Sequence, residues 1–174
     1  MTDVLTIQTE RFGELNVPKE EIIEFPEGLL GFAEQKNYVL VQEAAYEPFL
    51  WLQSTDDPHL SFVVVDPVAF LPDYRVEIKP SEVESLELTS VDEAKVLVIV
   101  VVRDQPEDIT ANLQGPLVIN TEKCFGKQVV LLTDRYSTRH YILQEDQGGA
   151  EKGFTAQQEE KAQQETSNDE SSGE

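Results

Sequence analysis

Apolar residues along this chain recur at every second position or in short continuous runs, and seldom at helical spacing. Leu5 and Ile7 alternate with Thr6 and Gln8, and Val76 and Ile78 alternate with Arg75, Glu77 and Lys79. Each pattern predicts a strand with one buried and one wet face. Phe62-Val63-Val64-Val65 and Val96 to Val102 are continuous and mostly β-branched. They predict strands covered on both sides or running through a closed sheet. Further strands are expected at Glu14–Val17, Ile22–Phe25, Tyr38–Gln42, Phe49–Gln53, Leu117–Asn120 and Gln128–Leu132. Pro26-Glu27-Gly28, Asp57-Pro58, Asp66-Pro67, Pro72-Asp73 and Gly115-Pro116 punctuate them at short intervals. The expected fold is a single, mostly β domain, an antiparallel barrel-like or sandwich architecture. One short helix is expected from Glu82 to Leu88, capped by Ser81, with Val83, Leu86 and Glu87 facing the sheet.

Composition divides the 174 residues in two. Residues 145–174 carry nine acids and two bases, no Val, Ile, Leu or Met, and Phe154 as the one large apolar side chain. Such a segment has too little apolar surface to offset its ordering entropy, so a disordered acidic tail is expected after a folded domain of residues 1–144. Thr155 and Gln158 have capping-box spacing, but about three turns without an apolar stripe make a marginal helix. The whole chain carries 34 acids against 13 bases, a formal charge of −21. A surface built to grip nucleic-acid phosphates needs local positive charge, so direct nucleic-acid binding is not expected, and a basic partner fits better. The longest apolar run, Val96 to Val102, is far too short to span a membrane. Met1-Thr2-Asp3-Val4 lacks a secretory pattern, and the single cysteine, Cys124, permits no intrachain disulfide. Together these predict a soluble, acidic, cytoplasmic protein with no membrane partner.

The chemistry of common active sites is sparse. Two histidines, His59 and His140, and one thiol make no zinc spacing. Asp56-Asp57-Pro58-His59 places potential ligands in one turn, which is also ordinary turn chemistry. Asp104, Glu107 and Asp108 lack the glycine and distal glutamate of a calcium loop. No G-x-S-x-G, Walker loop or G-x-G-x-x-G occurs, and Cys124 stands in no nucleophile signature. Ser137 and His140 are close in sequence, but proximity along a strand builds no dyad. No cofactor, metal or catalytic residue is expected.

More informative is an ordered series of motifs. It begins with Ile23-Glu24-Phe25-Pro26-Glu27-Gly28-Leu29 followed by Gly31-Phe32, and continues through Leu52-Gln53-Ser54. Phe62 to Pro67, Pro72-Asp73-Tyr74, Asn112-Leu113 with Gly115-Pro116, and Val118-Ile119-Asn120 follow. Gly126-Lys127-Gln128-Val129 and Tyr136-Ser137-Thr138-Arg139-His140 complete it. In this order, over residues 4 to 140, the sequence resembles the flagellar assembly factor family FliW. Leu30 stands where the family pattern has proline, and the acidic tail lies outside the resemblance. The resemblance implies a small β-barrel-like protein of motile bacteria that is not an enzyme. It implies two protein partners, flagellin and the RNA-binding carbon storage regulator CsrA. It also implies partner switching, in which the free factor sequesters CsrA and relieves repression of flagellin translation until flagellin captures it.

The expected partner-binding positions are Phe25, Glu27, Gly28 and Leu29, then Asp73 and Tyr74, then Asn112, Leu113, Pro116 and Asn120. Aromatic residues supply contact area at low entropy cost, and asparagine pairs with partner backbone. The same residues also suit turns and strand ends of the scaffold. Two other readings remain open on the residues alone: an acidic decoy or binding module without specific contacts, and an enzyme on a β scaffold with an unmarked site.

Overall fold

The computed structural model describes residues 2–143. The acidic tail expected at 145–174 lies outside the described residues. The chain opens with a hairpin of β1 (Val4–Thr9) and β2 (Gly13–Pro18). It continues through β3 (Ile23–Glu24), β4 (Asn37–Gln42), β5 (Leu50–Ser54) and β6 (Ser61–Val65). After the helix α1 (Pro80–Ser85) come β7 (Ala94–Val101), β8 (Thr110–Ala111), β9 (Leu117–Asn120), β10 (Phe125–Gln128) and β11 (His140–Tyr141).

Seven of these strands close a barrel in the order β7-β6-β5-β4-β3-β10-β9, and β9 returns to β7. Closure depends on β7, whose eight residues serve three neighbours. One edge pairs with β6; along the other, Ala94–Leu97 face β9 and Val100–Val101 face β8. Neighbours in this barrel run antiparallel except β3 and β10, which touch at Glu24 and Phe125. There Glu24 N–H donates to the Cys124 carbonyl at 3.0 Å.

The continuous apolar runs follow from this topology. Residues directly opposite across a ladder share a face. Leu52 opposes Leu40 and Phe62, Val64 opposes Ile99, and Leu97 opposes Leu117. These belong to the barrel interior, which Phe25, Leu29, Tyr38 and Ile119 complete. The alternate residues Val65, Val98, Val100 and Val118 face outward, yet are covered by Phe70, Tyr74, Leu86, Leu131 and Ile142. A strand between two cores has no wet face, so alternation disappears. On β4 the outward Val39 is covered by Ile7 and Val17 of the hairpin. Full burial of each such side chain contributes about 1.5–3 kcal/mol.

Three local expectations need correction. The segment holding Val76 and Ile78 forms no strand; both side chains are half-buried against the outer core, but their backbone joins no ladder. The strand expected at Gln128–Leu132 ends at Gln128. Val129 and Leu131 N–H do donate to the Pro116 and Gln114 carbonyls, at 2.9 and 2.8 Å. The reciprocal bonds fail because Pro116 has no N–H and Gln114 N–H is held by Asn112 Oδ1 at 3.2 Å. The helix starts at Pro80, whose fixed φ suits a first helical position, so Ser81 lies inside it and caps nothing. Leu86 packs inward as expected and Val83 is half-buried. Glu87 turns outward with φ 53° and pairs with Lys123 at 3.1 Å. Among the described residues, no helix is long and apolar enough to cross a membrane.

Candidate interaction site at the barrel mouth

The Phe25–Phe32 segment is a turn with buried anchors and an exposed crest. Phe25 leaves β3 into the barrel interior, where its ring meets Tyr38 edge-on at 5.6 Å between centroids. Room for it depends on Gly126, where a Cβ would lie 2.9 Å from Phe25 Cε1. The chain then reverses: Gly28 N–H donates to the Phe25 carbonyl at 2.8 Å, and Phe32 N–H to the Leu29 carbonyl at 2.8 Å. Gly28 has φ 69°, and a Cβ there would stand 2.6 Å from Ala33 Cα, so the position excludes any side chain. Leu29 enters the core, leaving Leu30 64% exposed and Phe32 39% exposed, the latter edge-on to Phe62 at 5.1 Å. Glu27 is exposed and reaches Lys127 at 3.6 Å; Lys127 also approaches Glu82 at 3.9 Å.

Gln128, at the end of β10, ties this crest to a second motif. Its Oε1 accepts from Leu30 N–H at 2.8 Å, and its Nε2 donates to the Gly115 carbonyl at 3.0 Å. Gly115 N–H in turn donates to Asn112 Oδ1 at 2.9 Å. Asn112 therefore caps the turn before β9 instead of reaching outward. Beyond it lies a buried junction: the Tyr74 hydroxyl donates to the Leu113 carbonyl at 2.7 Å, and Leu113 N–H donates to the Ser137 carbonyl at 3.0 Å. Tyr136 packs on Tyr74 at 4.6 Å, and its hydroxyl accepts from Arg75 N–H at 3.0 Å. Burial raises the Tyr74 phenol well above its ordinary range, with Tyr136 adding to the shift. Tyr38 in the barrel is pushed up to about 12, by burial first and then by Asp56 and Asp57.

The structure thus joins most of the expected positions into two connected regions. Of the ten, Phe25, Gly28, Leu29, Tyr74, Leu113, Pro116 and Asn120 are buried, Asn112 is half-buried, and Glu27 and Asp73 are exposed. Asn120 lies at the opposite end of β9, where Nδ2 donates to the Leu86 carbonyl at 2.8 Å and Oδ1 accepts from Glu122 and Lys123 N–H at 3.1 Å each. In the free protein these buried groups hold the mouth and the barrel wall. On the turn itself the exposed side chains are Glu27, one of the ten, and the apolar Leu30 and Phe32, which are not among them. A signal for Leu30 existed: beside a glycine turn anchored by Leu29, the next apolar residue must point the other way.

The two histidines and Ser137 have ordinary partners. His59 Nδ1 lies 3.0 Å from Glu10 Oε2, and that hydrogen bond is the main reason the imidazole is raised. Ser137 Oγ accepts from Arg139 N–H, and the His140 ring stacks on Phe70 at 5.9 Å. Among the described residues, no three His, Cys, Asp or Glu side chains gather in a metal-holding group.

Comparison with known proteins covers nearly all the described residues. The family profile described as FliW protein matches residues 6–142. A flagellar assembly factor FliW from Alkaliphilus metalliredigens is 42% identical over 144 residues, covering 82% of this chain and 89% of the relative. Its counterpart from Leptospira biflexa is 39% identical over 141 residues, covering 80% and 92%. A crystal structure of the flagellar assembly factor FliW superposes with a TM-score of 0.75 at 36% identity, covering 82% of this chain and all of that one.

Proposed function

The chain belongs to the FliW family of flagellar assembly factors, and from that premise we propose that it works by partner switching between flagellin and CsrA. Free factor sequesters CsrA and relieves repression of flagellin translation; accumulating flagellin captures the factor and releases the regulator. On this reading the protein is a cytoplasmic binding protein and not an enzyme.

The observation that carries the reading is the family match over residues 6–142. The mouth supports it physically. Leu30 and Phe32 offer apolar contact area on a turn already fixed by Phe25, Gly28 and Leu29, so docking costs little ordering entropy. Charge supports the CsrA half: a chain at −21 attracts a basic RNA-binding protein and speeds encounter. Once docked, acids within about 8 Å of the RNA groove, one Debye length at physiological salt, raise the cost of bringing in phosphates. RNA is then excluded by repulsion, without the factor filling the RNA site. A coupling of about 1–3 kcal/mol weakens RNA binding roughly 5- to 150-fold.

The test is calorimetric titration of the full chain with the host's CsrA, with its flagellin, and with flagellin added to the preformed CsrA complex. Saturable binding to both, with displacement of CsrA, is expected. Binding to flagellin alone removes the translational role, and heat from neither partner overturns the proposal. Exclusion by repulsion further requires RNA affinity to recover as salt rises while the protein complex persists.

A further inference from the structure

A groove of about 370 Å³ runs between the unpaired segment after Tyr74 and the irregular stretch after β10. Its floor is apolar, from Ile78, Leu131 and Tyr136, and its rim carries Arg75, Lys79 and Arg135 against one acid, Glu77. In a chain at −21 this is an inversion of the local charge. Arg75, Lys79 and Arg135 form no ion pair among the described residues, a property they share with Lys36, Lys95 and Arg103; what sets them apart is that three such bases line one cavity. Arg75 spends one guanidinium N–H on the Tyr74 carbonyl at 3.4 Å. Neither segment joins a ladder, and in the stretch after β10 the reason is that Pro116 has no N–H and Gln114 N–H is held by Asn112 Oδ1.

We propose that this groove is the docking site for the chain's own acidic C-terminal segment, residues 145–174, held there by its carboxylates on Arg75, Lys79 and Arg135. Three observations favour that occupant. The described chain ends in the hydrophobic cluster that also contains the groove residues Leu131, Ile78 and Tyr136. The segment carries nine acids and two bases, complementary to the rim, and Phe154 supplies one large apolar group for the floor. Length allows it: an ideal coil of 30 residues spans about 30 Å end to end, against a radius of gyration of about 14 Å for the folded part. Because that reach covers the whole surface, length does not choose the site and charge does. Tethering supplies an effective concentration in the mM range, so even a contact with mM affinity is occupied about half the time. The docked segment masks the three bases of this groove. The inference is independent of the partner-switching reading.

Zero-length carbodiimide cross-linking of the full chain, followed by peptide mass mapping, tests it. The reagent joins carboxylates to amines, so Lys79 reports the groove, while Lys19, Lys36, Lys95 and Lys123 report the rest of the surface. Acids of 145–174 are expected to link to Lys79 several-fold more often than to any of those four. The preference should fall about threefold or more between 0.05 and 0.5 M salt, as the Debye length shortens from roughly 14 to 4 Å. It should also fall in the double variant Arg75→Glu, Arg135→Glu, whose fold is checked by circular dichroism. Should that variant fail to fold, the salt series on the unaltered chain decides alone. Links spread evenly over the lysines, or insensitive to salt, overturn the proposal. So do Lys79 links found only between isotopically distinct copies, which would make the contact intermolecular.

Discussion

The Phe25–Phe32 turn and the Tyr74–Leu113 junction have comparable motif signatures, and they use their side chains in opposite ways. In the turn, two anchors are buried so that two apolar neighbours are displayed: Phe25 and Leu29 go in, Leu30 and Phe32 stay out. At the junction the aromatic and polar groups are spent internally, with the Tyr74 hydroxyl on the Leu113 carbonyl and Asn112 Oδ1 on two backbone N–H groups. A distinctive motif therefore has two physical origins. One is the need to hold a surface feature rigid, and the other is the need to satisfy backbone groups where a ladder fails. Gln128 touches both regions, so they are mechanically linked.

Substitutions separate the two. The largest effect is expected at Phe25→Ala, which empties the barrel interior and costs about 3–5 kcal/mol in a denaturant melt. A value near zero would mean that the interior repacks and the anchor is dispensable. Gly28→Ala comes next, because it combines a left-handed φ with a 2.6 Å approach to backbone. It should cost more than about 1 kcal/mol, and it should weaken partner binding in proportion to the fraction unfolded. Tyr74→Phe strips the junction of one hydroxyl and leaves the Leu113 carbonyl without it, for about 1–3 kcal/mol.

The same variant has a pH signature. Tyr74 and Tyr38 are both raised in the folded state, so the native protein holds these protons more tightly than the unfolded chain does. Their stabilisation is complete below the unfolded value of about 10 and is lost as pH climbs through the folded values. Denaturant melts at pH 9 and pH 11 should show falling stability, with a smaller fall in Tyr74→Phe. A pH-independent wild type would contradict the burial argument. The smallest effect on stability, within about 0.5 kcal/mol, is expected at Leu30→Ala. If the displayed crest is the docking surface, that variant still loses about tenfold or more in partner affinity. Unchanged binding would move the interface elsewhere.

Much of the architecture was legible. The hairpin, the core strands and the Val96–Val100 part of the doubly covered run follow from period-2 and continuous apolar patterns, while Val101 and Val102 at its end are exposed. The failures lie where burial and pairing part company. Val76 and Ile78 alternate correctly and are half-buried, but their backbone joins no ladder. Gln128–Leu132 keeps its apolar rhythm, yet Pro116 offers no donor and Gln114 N–H is already engaged. In the Phe25–Phe32 turn the expected positions are the buried Phe25, Gly28 and Leu29 and the exposed Glu27, and they do not include the apolar crest of Leu30 and Phe32. Buried and displayed residues in a tight turn are equally distinctive in a sequence.

What the sequence determined by itself is therefore local and additive: strand rhythm, turn chemistry at Gly28 and Gly115-Pro116, the acidic bias, and the ordered motifs of the family. What only the tertiary structure decided is closure. The pairing of Ala94–Leu97 with β9 and of Val100–Val101 with β8, the meeting of Gly126 with Phe25, and the bridge through Gln128 each join residues distant in sequence. Such contacts depend on strand order and register. A pattern of apolar residues constrains the register of a strand to one face, but it does not name the neighbour that the strand will meet.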